Sequence, residues 1–216
     1  MKINHLGIIP DGNRRWAKAN NVDLYKTYNI FANRIVEIFE FFQTTQINEL
    51  TVYIASKENL TRKPTEIDPV VNAFVSSLPA IKDIALKNNC KVKFIGLYNV
   101  THQNLLDCAY DIQNSTQNNT GKVLNMLVGY NPFDEIARSA KAKNSAELEA
   151  CDLEVNSYVD LVIRTAGKPV RISNFLPIQC GYANIEVFDK YFIDLTNEEI
   201  ASTVRSYEDV SPRYGK

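Results

Sequence analysis

Histidine is nearly absent. Only His5 and His102 occur among 216 residues, so a histidine-built metal centre or a Ser-His-Asp triad has little to draw on. The four cysteines, Cys90, Cys108, Cys151 and Cys180, form no C-x-x-C pair and lie at no zinc-finger spacing from a histidine; they read as thiols in a reducing compartment. Charge of one sign is also missing. A net charge of −1 gives no overall field for nucleic acid, so no nucleic-acid partner is expected, and any anion site must be a local cluster. The opening Met-Lys-Ile-Asn-His does not lead into an apolar run with a cleavage site, and no uninterrupted apolar stretch approaches the ~20 residues of a membrane span. The expectation is a cytoplasmic protein with no integral membrane segment. There is no G-x-x-x-x-G-K-S/T and no G-x-G-x-x-G after the first strand, which excludes a P-loop and disfavours the usual dinucleotide fold.

What is present is an ordinary apolar content of 45%, enough for one domain over residues 1–216 with a proper core and rather little for two. Short apolar runs at 6–9, 49–55, 91–97, 122–128, 160–165 and 185–188 read as strands. Several are rich in Val and Ile without strict alternation, as strands covered on both faces should be. Helical patterns lie between them. Tyr28, Phe31, Ile35, Ile38 and Phe42 form one stripe at spacings of three and four. A long helix is expected over 65–88, capped by Thr65 and kinked or broken at Pro79, with others over 101–113, 133–143 and 197–207. Residues 114–120 read as a polar turn, 144–157 as an acidic, mobile surface segment, and 211–216 as a tail. Strand–helix alternation predicts an α/β fold: a mostly parallel central sheet flanked by helices.

In such a sheet ligands bind beyond the carboxyl ends of the strands, and three polar segments follow strands there. The first is Pro10-Asp11-Gly12-Asn13-Arg14-Arg15-Trp16. Gly12 permits close backbone approach, a helix start favours an anion, and guanidinium forks suit phosphate oxygens. Asp11 would repel a phosphate unless Mg²⁺ bridges the two, and magnesium takes one or two carboxylates plus substrate phosphate oxygens. The second is 55–64, with Ser56, Asn59 and Arg62; the third is 164–175, where Arg164, Arg171 and Ser173 compose a diphosphate clamp. Alone, each also fits a capped helix start or an ordinary basic loop. From the loops alone, a nucleotide or sugar-phosphate binder stays open.

The three segments in this order resemble the cis-prenyltransferases, the family of undecaprenyl diphosphate synthase. The resemblance rests on residues 5–18, on Ser56, Glu58-Asn59 and Arg62, and most specifically on Asp160-Leu161-Val162-Ile163-Arg164-Thr165, Arg171-Ile172-Ser173-Asn174-Phe175-Leu176 and Tyr182-Ala183. It implies a homodimeric α/β enzyme with an apolar tunnel or pocket, condensing isoprenoid diphosphates (dimethylallyl, isopentenyl or geranyl diphosphate) with Mg²⁺. By the same resemblance Asp11 supports metal and ionisation, and Asn13 assists proton removal or diphosphate positioning. Gly12, Arg15 and the helix start form the allylic cradle, with Arg14 binding substrate and Trp16 packing beside it; Asp11, Asn13 and Arg15 are the catalytic candidates. Arg164, Arg171 and Ser173 clamp the second diphosphate, and Ser56, Asn59 and Arg62 close on substrate. The chemistry agrees: negative charge grows on the departing diphosphate where cations are needed. The carbocation needs a dry pocket, for which the Tyr28–Phe42 stripe and the apolar side of 65–88 are candidate walls.

The chain also departs from the elongating pattern. Thr27-Tyr28 stands where that pattern has Gly-His, Val128-Gly129-Tyr130-Asn131-Pro132 where it has Asn-Tyr-Gly-Gly, and Leu60 where it has tryptophan. Lys168 replaces a glutamate, and Asn184 a late metal-linked one, with Glu186 two positions on. Several of these changes, and the ending Arg213-Tyr214-Gly215, resemble the lavandulyl branch, which joins dimethylallyl units head to middle. The expectation is therefore irregular coupling of C5 or C10 units. Regular cis-elongation with isopentenyl diphosphate and a non-catalytic partner subunit are the alternatives.

Overall fold

The fold is described from a computed structural model, which describes residues 2–145, 147–167 and 171–208. Six strands, β1 (His5–Ile9), β2 (Glu49–Ser56), β3 (Lys91–Ile95), β4 (Val123–Tyr130), β5 (Leu161–Arg164) and β6 (Asn184–Val187), form one sheet in the order β3-β4-β2-β1-β5-β6. Every pairing is parallel, so the sheet is parallel throughout rather than mostly. The Val/Ile-rich runs are the central strands, buried along nearly their whole length.

Helices α1 (Asn13–Asn20), α2 (Leu24–Thr44), α3 (Lys57–Leu60), α4 (Pro64–Lys87), α5 (Gln103–Thr116) and α6 (Pro132–Lys143) lie in the connections from β1 to β5, and α7 (Asn197–Glu208) follows β6. The stripe Tyr28, Phe31, Ile35, Ile38 and Phe42 of α2 is buried against α4 and the sheet. By length and composition α4 could cross a membrane, but its apolar face (Ile67, Val71, Phe74, Leu78, Ile81) is spent on this core. A smaller core on the other side holds Tyr53, Leu127, Tyr130, Val162, Phe175 and Leu176.

Four local expectations are corrected. Helix α4 is capped by Lys63 rather than Thr65, because Pro64 takes the first helical position, where its missing N–H costs nothing. The helix runs unbroken through Pro79; Pro79 lies on the exposed side, where water can satisfy the orphaned carbonyl while the buried stripe holds the helix together. Residues 114–116, read as a turn, are the last turn of α5. The acidic segment 144–157 is anchored, since Leu153 and Val155 are buried and a 3-10 turn spans Ala150–Asp152. Lys168, Pro169 and Val170, the 211–216 tail and the Arg213-Tyr214-Gly215 ending lie outside the described residues.

Candidate active site

Strand β1 stops at Pro10, and Asp11 turns the chain into Gly12, which caps α1 at φ 101°. A Cβ on Gly12 would lie 2.6 Å from Tyr191 Cδ1 and 2.9 Å from Ala166 Cβ, so the backbone approaches its neighbours here only as glycine. No side chain caps the start of α1, leaving its first amides available to a ligand. The parallel register sets Ile9 beside Arg164, which brings the first and third segments to one rim.

There Asp11 is held twice over. Its amide donates to Thr165 Oγ1 and Thr165 Oγ1 donates back to its carbonyl, both at 2.9 Å. Its carboxylate accepts from Arg164 Nη2 at 2.9 Å, from the Gly12 amide at 2.6 Å and from Arg15 Nη2 at 3.4 Å. Arg164, only 8% exposed, also donates through Nη1 to Ser173 Oγ at 3.0 Å and to the Arg171 carbonyl. One guanidinium thus joins the first loop to the third, bringing Asp11, Arg164, Arg171 and Ser173 together; Arg171 contributes its backbone to this junction, and the residue is otherwise exposed. Arg164 Nε and Asn13 Oδ1 are buried without partners. Since buried polar atoms are nearly always paired, Asn13 Oδ1, which belongs to a residue lining the adjacent cavity, marks a place for a ligand's complementary group.

A cavity of about 510 Å³ opens beside this junction. Its mouth is polar and cationic: Asp11, Gly12, Asn13, Arg14, Arg15 and Lys18, with Asn59 and Arg62 opposite. Arg14 lies 3.6 Å from Glu66 across the mouth. Its floor is apolar, made by Tyr28, Phe31, Ile54, Ile67 and Val70. Burial raises the Tyr28 phenol pKa, against the pull of the Arg14 and Arg62 cations. Past Ile54 and Val70 lies a void of about 10 Å³, walled by Val71, Phe74, Leu105 and Val128, at the limit of what holds one water. The apolar space is therefore a short pocket. Of the expected walls, Tyr28 and Phe31 line it, whereas Ile35, Ile38 and Phe42 do not.

Other predicted residues fall less centrally. Ser56 and Asn59 cap α3 reciprocally, each backbone N–H bonding the other's side chain at 3.2 Å; Asn59 and Arg62 line the cavity and Ser56 does not. Trp16 is not brought to the cavity: its indole N–H turns outward to Asp194 Oδ1 at 2.9 Å. Register puts Asn184 beside Leu161, three residues short of the Arg164 level, about 10 Å along the strand, and Glu186 accepts from Tyr207. Neither stands at the rim within one chain. Thr165, which locks Asp11, is part of the most specific motif of the resemblance, but its role was not legible in the sequence, because its partner is 154 positions away.

Among the described residues no group of three or more His, Cys, Asp or Glu could hold a metal ion. The Asp11 side chain is 40% exposed and lines the cavity with the orphaned Asn13 Oδ1. One carboxylate and a neutral oxygen suit a Mg²⁺ ion that a diphosphate helps to hold.

The comparisons with known proteins agree with this geometry. The family model described as "Putative undecaprenyl diphosphate synthase" matches residues 9–215. An isoprenyl transferase of Treponema denticola is 30% identical over 223 residues, covering 99% of this chain and 98% of the relative. A ditrans,polycis-undecaprenyl-diphosphate synthase of Blochmanniella floridana is 32% identical over 228 residues, covering 98% and 90%. Among solved structures, lavandulyl diphosphate synthase from Lavandula x intermedia shares the fold at TM-score 0.90 with 22% identity, covering 100% of this chain and 99% of the other. A "probable undecaprenyl diphosphate synthase" from Campylobacter jejuni aligns at TM-score 0.80 and 25% identity over the full length of both. With the model spanning nearly the whole chain and the three phosphate-capable loops converging on one rim, the chain belongs to the cis-prenyltransferase family of undecaprenyl diphosphate synthases.

Proposed function

We propose that this prenyl diphosphate synthase joins two small isoprenoid diphosphates to a short product, and that the coupling is irregular, with dimethylallyl diphosphate as both partners. The observation that carries the short product is the narrowing of the apolar space past Ile54 and Val70 to a void of about 10 Å³ walled by Val71, Phe74 and Leu105. The departures at Tyr28 and at Gly129-Tyr130-Asn131 favour the head-to-middle mode. In that reaction the allylic C1–O bond breaks and its electron pair leaves with the diphosphate. C2 of the second molecule attacks C1 through its double bond, and the new cation loses a methyl proton, so a C10 diphosphate, pyrophosphate and a proton result.

The start of α1, Arg14 and Arg15 would take the departing diphosphate, and Arg164, Arg171 and Ser173 the retained one. Asn13 Oδ1, unpartnered at the mouth, would orient substrate, and Arg62 and Asn59 would cover it. Mg²⁺, held by Asp11 and the diphosphate, would neutralise charge on the leaving group. The floor of Tyr28, Phe31, Ile54, Ile67 and Val70 keeps water from the cation. The working form in this reading is a cytoplasmic homodimer, for which the exposed Tyr158, Ile178 and Ile185 around β5 and β6 offer an apolar surface.

A second reading, regular elongation with isopentenyl diphosphate, is favoured by the relatives named undecaprenyl-diphosphate synthases. Mass spectrometry of products formed with Mg²⁺ separates the two. Irregular coupling predicts a C10 diphosphate from dimethylallyl diphosphate alone. A product that needs isopentenyl diphosphate and extends beyond C10 overturns it, and no pyrophosphate from any combination supports the non-catalytic partner subunit instead.

A further inference from the structure

The carboxyl end of β2 carries an irregularity. Its register against β4 slips between Tyr53 and Ala55 and again between Ala55 and Ser56, and such bulges re-aim side chains next to functional sites. The last residue before the slip, Tyr53, stands where β2 leads into the β2–α3 loop, and its hydroxyl reaches the turn of the third loop. It donates to the Ser173 carbonyl at 3.3 Å. Three residues on, Ser56 ends β2 and caps α3; burial first, and then the Glu58 carboxylate, raise the phenol pKa. The ring is 8% exposed and is packed edge-on against Tyr130, with centroids 6.1 Å apart, and tilted against Phe175 at 5.7 Å.

Both loops belong to the site, one to each half. The β2–α3 loop supplies Asn59 and Arg62 to the cavity, whereas the turn carrying Ser173 supplies the hydroxyl that fixes Arg164. That turn is strained: Ser173, Asn174 and Leu176 have φ of 50°, 62° and 40° without being glycine. Such conformations persist only where their surroundings hold them. Burial keeps the phenol protonated well above its ordinary pKa, so it donates at every working pH.

We propose that Tyr53 is a positioning residue: its hydroxyl ties the end of β2, from which the covering loop of the allylic cavity leaves, to the Ser173 turn, so that ordering one half of the site orders the clamp for the second diphosphate. This rests on the two-diphosphate reading above. The neighbouring Tyr130 has the same size and burial, but its hydroxyl goes to Glu135 at 2.6 Å and reaches neither loop, which makes it the internal control.

The test is steady-state kinetics of the Mg²⁺-loaded enzyme with each diphosphate varied in turn, for Tyr53→Phe and Tyr130→Phe. Where one compound fills both halves, a dead-end thio analogue occupies the allylic half while the second is titrated. Tyr53→Phe keeps the ring packing and loses one hydrogen bond, so KM for the second diphosphate should rise roughly three- to tenfold, with kcat and the allylic KM within about twofold. Tyr130→Phe should lower Tm and leave both KM values in place. Equal shifts in both KM values, or the same split in Tyr130→Phe, would overturn the proposal. In the wild type, hydrogen exchange gives a reading that needs no variant. The thio analogue alone should slow exchange at 171–176, and unchanged exchange there would overturn the tie. A wild type inert towards every diphosphate would instead sink the catalytic reading itself.

Discussion

Two polar clusters sit at opposite ends of the same sheet, and only one of them is built to bind. At the amino ends His5 Nε2 meets Thr51 Oγ1 at 2.7 Å, Ser157 lies 2.9 Å from His5 Nδ1 and donates to Glu49 at 2.6 Å, and Asn125 donates to the other Glu49 oxygen at 2.6 Å. Asp160 accepts from the amides of Asn4 and His5. The cluster is nearly closed on itself; Asn125 Oδ1 lacks a partner, yet it lines no described cavity. At the carboxyl ends the Asp11–Arg164–Ser173 junction has comparable bonds but leaves Asn13 Oδ1 unfilled in the lining of 510 Å³ of open space. A serine, a histidine and a carboxylate in contact are thus not by themselves a site. What makes one is unmet hydrogen-bonding capacity facing a void, with charge that a ligand can share.

The contrast can be broken by mutation at each end. The largest effect is expected for Asp11→Ala, which should cut pyrophosphate release by about a hundred- to a thousandfold with a smaller loss of Tm than the next variant; normal turnover would remove Asp11 from the reaction. Glu49→Ala should do the reverse. Stripping partners from Ser157, Asn125 and His5 costs about 3 kcal/mol, or roughly 6–12 °C in Tm for a chain of this size, with kcat per folded molecule unchanged. Ile54→Ala sharpens the comparison from inside the cavity. Ile54 separates the main pocket from the small void, so its loss should admit a longer product, visible as a heavier diphosphate in the mass spectrum, for about 2 kcal/mol of stability.

The smallest effect is with pH. Burial lowers the pKa of His5 below its ordinary value of 6.5, with Glu49 and Asp160 opposing. The unfolded chain therefore takes up a proton that the folded chain resists, and stability falls as pH drops below about 6.5, by at most about 1.4 kcal/mol per pH unit. Denaturant titrations of His5→Gln should show a flatter acid limb. The same limb in both proteins would place the acid sensitivity elsewhere.

The four central strands were legible because parallel strands buried on both faces leave continuous Val/Ile runs such as Leu161-Val162-Ile163, a signal that survives without any tertiary knowledge. Helix ends were less so. Thr65 looks like a cap by residue type, but Pro64 beside it fits the first helical position better, and Pro79 looks like a break until its exposed placement is known. Trp16 was misplaced for a related reason. Adjacency to Arg15 suggests a shared site, yet one residue along a helix turns the side chain by about 100°, and Trp16 leaves for Asp194 while Arg15 stays with Asp11.

By itself the sequence determined the order of strands and helices, the three segments able to meet phosphate, and the family. Those depend on residue type and short-range spacing, which the chain carries locally. The tertiary structure alone decided that Asp11 and Arg164, 153 positions apart, share one bond. It also decided that Tyr28 and Phe31 face the cavity while Ile35 faces the core, and that Ile54 and Val70 stand between the cavity and the small void at Phe74. Parallel register and side-chain direction set those contacts, and both emerge only when distant segments pack.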